Sequence, residues 1–269
     1  MSRSLVSVLG AFVLSVTTTA AAQHPHFGYS GEAAPANWGK LSPDWRTCAE
    51  GRNQSPINLA DFVEAELPPL HFNYTTLGVN IVNNGHAVQV NYARGSQVQV
   101  DSHEHAPYVG MVHYASGSML HHNGETFELK QFHFHSPSEH TLNGEPFPME
   151  MHLVHGDKNG NLAVVGVLMA EGATDNPVIA KLWAQIPTKI GEKTKLGAEI
   201  SAAELLPMGK DYFRYSGSLT TPPCSEGVRW FVMKEAITVS KAQIEAFRRV
   251  LGHPNNRPVQ PVNARVVLQ

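Results

Sequence analysis

Cysteine is almost missing from this chain: 269 residues hold two, Cys48 and Cys224, far apart and in no Cys-x-x-Cys pair. No thiolate pair is therefore available for a metal knuckle or a redox motif. Basic charge is not in excess either, with 20 Lys and Arg against 23 Asp and Glu. That balance gives no footprint for a nucleic acid. After residue 22 no apolar run is long enough to span a bilayer. No His-Glu-x-x-His string occurs, which removes the helix-borne zinc hydrolases of esters and peptides. Nothing reads as a linker separating two cores, so one domain is expected over residues 23–269.

Residues 1–22 are of another kind. Arg3 precedes an apolar run from Leu5 to Val16, and small residues follow up to Ala22. This pattern is that of a secretory signal peptide, so an exported protein is expected, periplasmic or secreted. In such a compartment an even cysteine count favours a Cys48–Cys224 disulfide over two buried thiols. Closing a loop of about 177 residues contributes on the order of 5 kcal/mol in the chain-entropy account.

Alternation of apolar and polar residues dominates the middle of the chain. Strands are expected at Leu70–Tyr74, on both sides of Asn83-Asn84-Gly85, at Glu125–His135, Pro148–His155, Leu162–Met169 and Glu226–Lys234, and in the tail from Val262 to Leu268. Helix is scarce. One short helix is expected at Pro177–Gln185, capped by Asp175 or Asn176, and another from Ser240 to Leu251 with Gly252 behind it. Before Glu50 the chain reads as an irregular arm anchored by Phe27, Tyr29, Trp38 and Trp45. The fold class is mostly β with peripheral helices.

The chemistry lies in Gln131-Phe132-His133-Phe134-His135 and Glu150-Met151-His152. Histidines two apart on a strand point to one side while the phenylalanines point to the other. A neighbouring strand can bring His152 to the same spot. Three imidazoles with an open fourth position match a catalytic zinc site, because neutral ligands leave the ion its full charge and bring bound water to a pKa of about 7. A zinc-hydroxide enzyme is expected.

The chain also resembles the α-class carbonic anhydrases in their secreted bacterial form. The likeness runs from about Phe27 to Val267 through seven strings in order: Gln-Ser-Pro-Ile-Asn at 54–58, Asn-Asn-Gly-His-Ala at 83–87, Gln-Phe-His-Phe-His at 131–135, Ser-Glu-His at 138–140, Glu-Met-His-Leu-Val-His at 150–155, Gly-Ser-Leu-Thr-Thr-Pro-Pro-Cys at 217–224 and Arg-Pro-Val-Gln-Pro at 257–261. The resemblance implies a central twisted, largely antiparallel sheet of about ten strands and reversible hydration of carbon dioxide. It implies Gln131 behind His133, Glu150 behind His152, and a backbone carbonyl at Asn255 behind His135. Thr220 would orient the hydroxide with its own proton committed to a buried Glu139. Val154, Val164, Leu219 and Trp230 would wall the substrate, and Thr221 would hold bicarbonate. His86 matches the proton-shuttle position, with Tyr29, Asn84 and Gln89 ordering water. A homodimer is left open.

One stretch departs from the family pattern. Residues from about 97 to 120 look inserted, as an exposed hairpin or loop, and with its edge the insert brings His103, His105, His113, His121 and His122. Residues 90–96 and 112–118 agree at five of seven positions, which reads as a local tandem duplication. One of these histidines reaching the cleft mouth, or His103 and His105 holding an adventitious metal, are subsidiary readings. Against the enzyme stand an inactive binding relative of the same fold, which typically lacks a zinc histidine, and a periplasmic metal buffer. A weak esterase side activity accompanies the main expectation.

Overall fold

A computed structural model describes residues 26–75, 78–92, 117–197 and 200–269. Its strands in chain order are β1 (Asn58–Leu59), β2 (His71–Asn73), β3 (Gly78–Asn83), β4 (Val88–Tyr92), β5 (Met119–His122), β6 (Glu125–His135) and β7 (Thr141–Leu142), then β8 (Glu145–Pro146), β9 (Met149–Gly156), β10 (Leu162–Gly172), β11 (Lys193–Lys195), β12 (Tyr212–Ser218), β13 (Glu226–Met233) and β14 (Ile237–Ser240). The α-helices are α1 (Trp38–Leu41), α2 (Thr47–Glu50), α3 (Pro177–Trp183) and α4 (Lys241–Leu251).

Eleven strands form one sheet in the order β11-β3-β4-β6-β9-β10-β13-β12, with β14 beside β10 and β5 joining β2 to β6. Within this sheet β10 pairs in parallel with β13 and β14, and the other pairings are antiparallel. The expected mostly β, largely antiparallel class holds, with eleven strands in place of about ten.

The sheet has two apolar faces. One carries Phe127, Phe132, Phe134, Met151, Leu153, Val165 and Phe231, and α3 and α4 cover it with Ile179, Leu182, Ile244 and Phe247. The other carries Val164, Tyr215 and Trp230, with Ile57 and Leu59 packed against them. Burying each such side chain stabilises the fold by about 1.5–3 kcal/mol. A bulge in β6 keeps the faces consistent. Leu129 opposes His155 and Gln131 opposes Val154, so Lys130 is an extra residue in the strand. Below it the core takes odd positions, Phe127 and Leu129; above it the core takes even ones, Phe132 and Phe134.

Both expected helices are present. Asn176 is the cap of α3, accepting from Val178 N–H and Ile179 N–H, and Ser240 forms a capping box with Gln243 at the start of α4. The arm before Glu50 is less irregular than expected, since it holds α1, α2 and three single 3-10 turns. In the tail no strand forms from Val262 to Leu268. Asn263 takes a left-handed backbone (φ 56°) and Arg265 turns back onto the Val262 carbonyl, so only Leu268 reaches the sheet, as an isolated bridge. Strand β12 went unforeseen because Tyr212 and Phe213 bury rings on opposite faces, which erases alternation.

The leader at 1–22, His103, His105, His113 and most of the stretch 97–120, with the duplicated segments beyond Tyr92, lie outside the described residues. The described end of that stretch enters strand β5, where Leu120 is buried. His121 bonds Thr126, and His122 lies against Tyr212 and Phe231 in the large core, away from the cleft.

Candidate metal centre

Strand register brings the three histidines together. On β6, His133 and His135 leave the face opposite Phe132 and Phe134, and His133 stands directly across from His152 on β9. Their ring centroids are 4.6–5.3 Å apart, and one nitrogen from each lies within 4.8 Å of the others. Every remaining nitrogen has an acceptor. His133 Nδ1 donates to Gln131 Oε1 at 2.8 Å, His135 Nδ1 to the Asn255 carbonyl at 2.8 Å, and His152 Nε2 to Glu150 Oε1 at 2.8 Å. This fixes the tautomers. His133 and His135 turn Nε2 inward, while His152, coming from the neighbouring strand, turns Nδ1.

Burial depresses all three imidazoles, His135 to about 4 and His133 well below its usual range, so each carries a lone pair at neutral pH. His135 Nε2 is buried and hydrogen-bonded to nothing. A buried nitrogen is normally paired. Three neutral nitrogen donors, one of them orphaned, fit a zinc ion.

Two buried carboxylates flank the cluster with opposite tendencies. Glu150 accepts from His140 Nδ1 and His152 Nε2 on one oxygen, and from the peptide N–H groups of Glu139 and His140 on the other. These donors and neighbouring imidazoles outweigh its burial and hold it well below the usual carboxylate range. Gly166 beneath it has no Cβ, which would stand 3.1 Å from Glu150 Oε1. Glu139 is instead pushed up to about 7 by burial, opposed by His152, the Arg257 N–H at 2.7 Å and the Thr220 hydroxyl. A dication among the imidazoles would lower it. Its Oε2 lies 3.5 Å from His135 Nε2 and 3.7 Å from His152 Nδ1.

His140, Tyr215 and Arg257 were not singled out as site residues by the sequence. With Nδ1 committed to Glu150, His140 meets the Tyr215 hydroxyl through Nε2 at 2.7 Å, and that hydroxyl donates to Ser55 Oγ at 2.9 Å. Ser55 Oγ in turn accepts from Ser218 N–H, two residues before Thr220. A chain of buried bonds thus joins His152 to the Thr220 loop. Histidine in a polar turn has no periodic signature, so only its place in Ser-Glu-His hinted at this. Tyr215→Phe strips the hydrogen-bond partner from buried His140 Nε2, and urea unfolding is expected to show a loss of about 1–3 kcal/mol.

Around this centre the other expected residues fall as follows. Val154, Val164, Leu219 and Trp230 belong to one apolar cluster, and the Trp230 ring meets His152 edge-on at 4.8 Å. Thr221 lies at the turn into the cis Pro222-Pro223 bond. His86 sits at the hairpin between β3 and β4, half-buried and stacked on Phe27 at 4.0 Å. Asn84 spends its side-chain oxygen on the hairpin, accepting from the His86 and Ala87 N–H groups, so its acceptor serves the turn. Gln89 pairs with His133 across strands and donates to Asn91. Tyr29 is raised by burial and by Glu139. Cys48 and Cys224 form a disulfide with Cα atoms 5.0 Å apart. Arg257, buried, donates to Gln54 Oε1 and to the Ser55 and Cys48 carbonyls.

A family model described as eukaryotic-type carbonic anhydrase matches residues 33–269. Carbonic anhydrase of Neisseria gonorrhoeae is 42% identical over 99% of this chain and 98% of its own length. That of Pectobacterium carotovorum is 41% identical over 96% and 97%. The solved α-carbonic anhydrase of Thermovibrio ammonificans, in complex with the inhibitor sulfanilamide, superposes with TM-score 0.81 at 46% identity, covering 91% of this chain and 99% of that one. Fold, converging histidines and these relatives agree: the chain is an enzyme of the eukaryotic-type, or α-class, carbonic anhydrase family.

Proposed function

We propose that this protein catalyses the reversible hydration of carbon dioxide to bicarbonate and a proton, with zinc held by His133 Nε2, His135 Nε2 and His152 Nδ1. Zinc bound there supplies Lewis acidity, lowering the pKa of water to about 7 so that hydroxide is available at neutral pH. The single observation that carries the reading is the convergence of three neutral nitrogens, each backed through its other nitrogen by an acceptor.

The protein's own groups then do separate tasks. Gln131, the Asn255 carbonyl and Glu150 hold the rings in their tautomers. Thr220 donates its proton toward Glu139 and is left able to accept one, which orients the attacking oxygen. The wall of Val154, Val164, Leu219 and Trp230 offers carbon dioxide an apolar place, and Thr221 receives bicarbonate. His86 takes up the released proton, with Tyr29, Asn84 and Gln89 at the intervening water. No helix among the described residues is long and apolar enough to cross a membrane, and the disulfide suits an exported, periplasmic enzyme.

Stopped-flow hydration by the mature chain tests this. Activity is expected with zinc, absent after chelation, and restored on adding the metal back; hydration that survives chelation overturns the reading. Glu139→Gln sharpens it. Glutamine still accepts from the Arg257 N–H but presents N–H donors to Thr220, so the threonine proton can no longer point that way. A fall in kcat/KM of about 10²-fold is expected with an unchanged circular dichroism spectrum.

A further inference from the structure

His86 is not alone at its hairpin. The exposed ring of His26 lies 5.2 Å from it, centroid to centroid, and Phe27 stacks on it at 4.0 Å. His253 comes from the loop after α4, stacks on Tyr29 at 5.9 Å, and is also exposed. That loop is tied to the hairpin, because Asn255 Nδ2 donates to the His86 carbonyl at 3.0 Å. Three imidazoles from three separate segments therefore crowd one rim. Neither His26 nor His253 entered the reaction described above.

We propose that His26 and His253 are proton-relay residues that carry the proton from His86 to solvent buffer; this rests on the carbon dioxide hydration reading. The step balances as a simple transfer. An N–H bond of the His86 imidazolium breaks, the proton crosses one water to a ring lone pair of His26 or His253, and His86 returns to the neutral form. The outer imidazolium then gives its proton to a buffer base. His86 is lowered first by burial, then by His26 and His253, so it sheds its proton readily.

The test is the variant His26→Ala/His253→Ala, zinc-loaded, measured at low and high buffer concentration. Maximal turnover at low buffer is expected to fall severalfold, with kcat/KM for carbon dioxide unchanged and turnover restored by added imidazole. Independently, the NMR titration of the His86 ring is expected to move to higher pH once its two charged neighbours are gone. Unchanged turnover at low buffer, or a loss that imidazole does not rescue, overturns the relay, as does a His86 titration that stays in place. If the unaltered enzyme shows no zinc-dependent hydration, it is the underlying reading that fails, and the NMR titration still reports whether the rings are coupled.

Discussion

His135→Ala is expected to bring carbon dioxide hydration down to the buffer background, a loss of at least about 10³-fold. Altering a group that merely backs a zinc ligand costs 10–100-fold in metal affinity or activity, and this change would remove one of the three proposed ligands themselves. The residue is also the one whose inward nitrogen is orphaned in a fully buried position. Alanine therefore deletes a nitrogen that the fold pays to keep dry. Thermal unfolding gives a readout apart from catalysis. Free zinc at 100 times its dissociation constant stabilises a binding protein by about 2.7 kcal/mol, so zinc is expected to raise the Tm of the unaltered chain and leave that of the variant nearly still. Full turnover by the variant at trace zinc would exclude His135 from the ligand set.

Cys48→Ser/Cys224→Ser is expected to lower stability by about 3–5 kcal/mol, seen as a shift in the urea midpoint. The bridge closes 176 residues, so its loss frees the greater part of the domain in the unfolded state. The folded state is affected as well. Cys224 ends the loop bearing Thr220, its carbonyl accepts from Gln54 Nε2 at 3.1 Å, and Gln54 is in turn held by Arg257. The Cys48 carbonyl accepts from the same guanidinium at 2.9 Å. These bonds persist without the sulfurs, so the loop is expected to loosen more than it moves, with kcat/KM falling less than for Glu139→Gln. Coincident urea curves would show that the constraint on the unfolded chain has no net effect.

How much of this was legible depended on the kind of signal. Strand β6 announced its two faces because Phe132 and Phe134 alternate with His133 and His135, and α4 announced its ends through Ser240 and Gly252. The convergence of the three proposed ligand histidines was legible for the same reason, since period two fixes which side chains share a face. The coordinating atoms were not. Whether His152 offers Nδ1 or Nε2 is decided by Glu150 taking the other, and Glu150 in turn is shaped by His140 and the turn N–H groups. Tyr215 and Arg257 act through contacts about 75 and 200 residues away in sequence, which no local pattern encodes. The tail from Val262 fails in the opposite way: its apolar residues imitate a strand, but Asn263 and Arg265 make a turn that the pattern does not reveal.

Strand β6 carries, in effect, a reading frame that restarts at Lys130. Deleting that single residue would leave Phe127, Leu129, Phe132 and Phe134 all facing the same way and would merely straighten the ribbon. Adding one residue a few positions later, between Gln131 and Phe132, would turn both imidazoles into the large apolar core and both phenyl rings into the metal centre. Tolerance to length changes along this strand is therefore confined to one codon, and a homologue one residue shorter there would still be expected to gather its ligands.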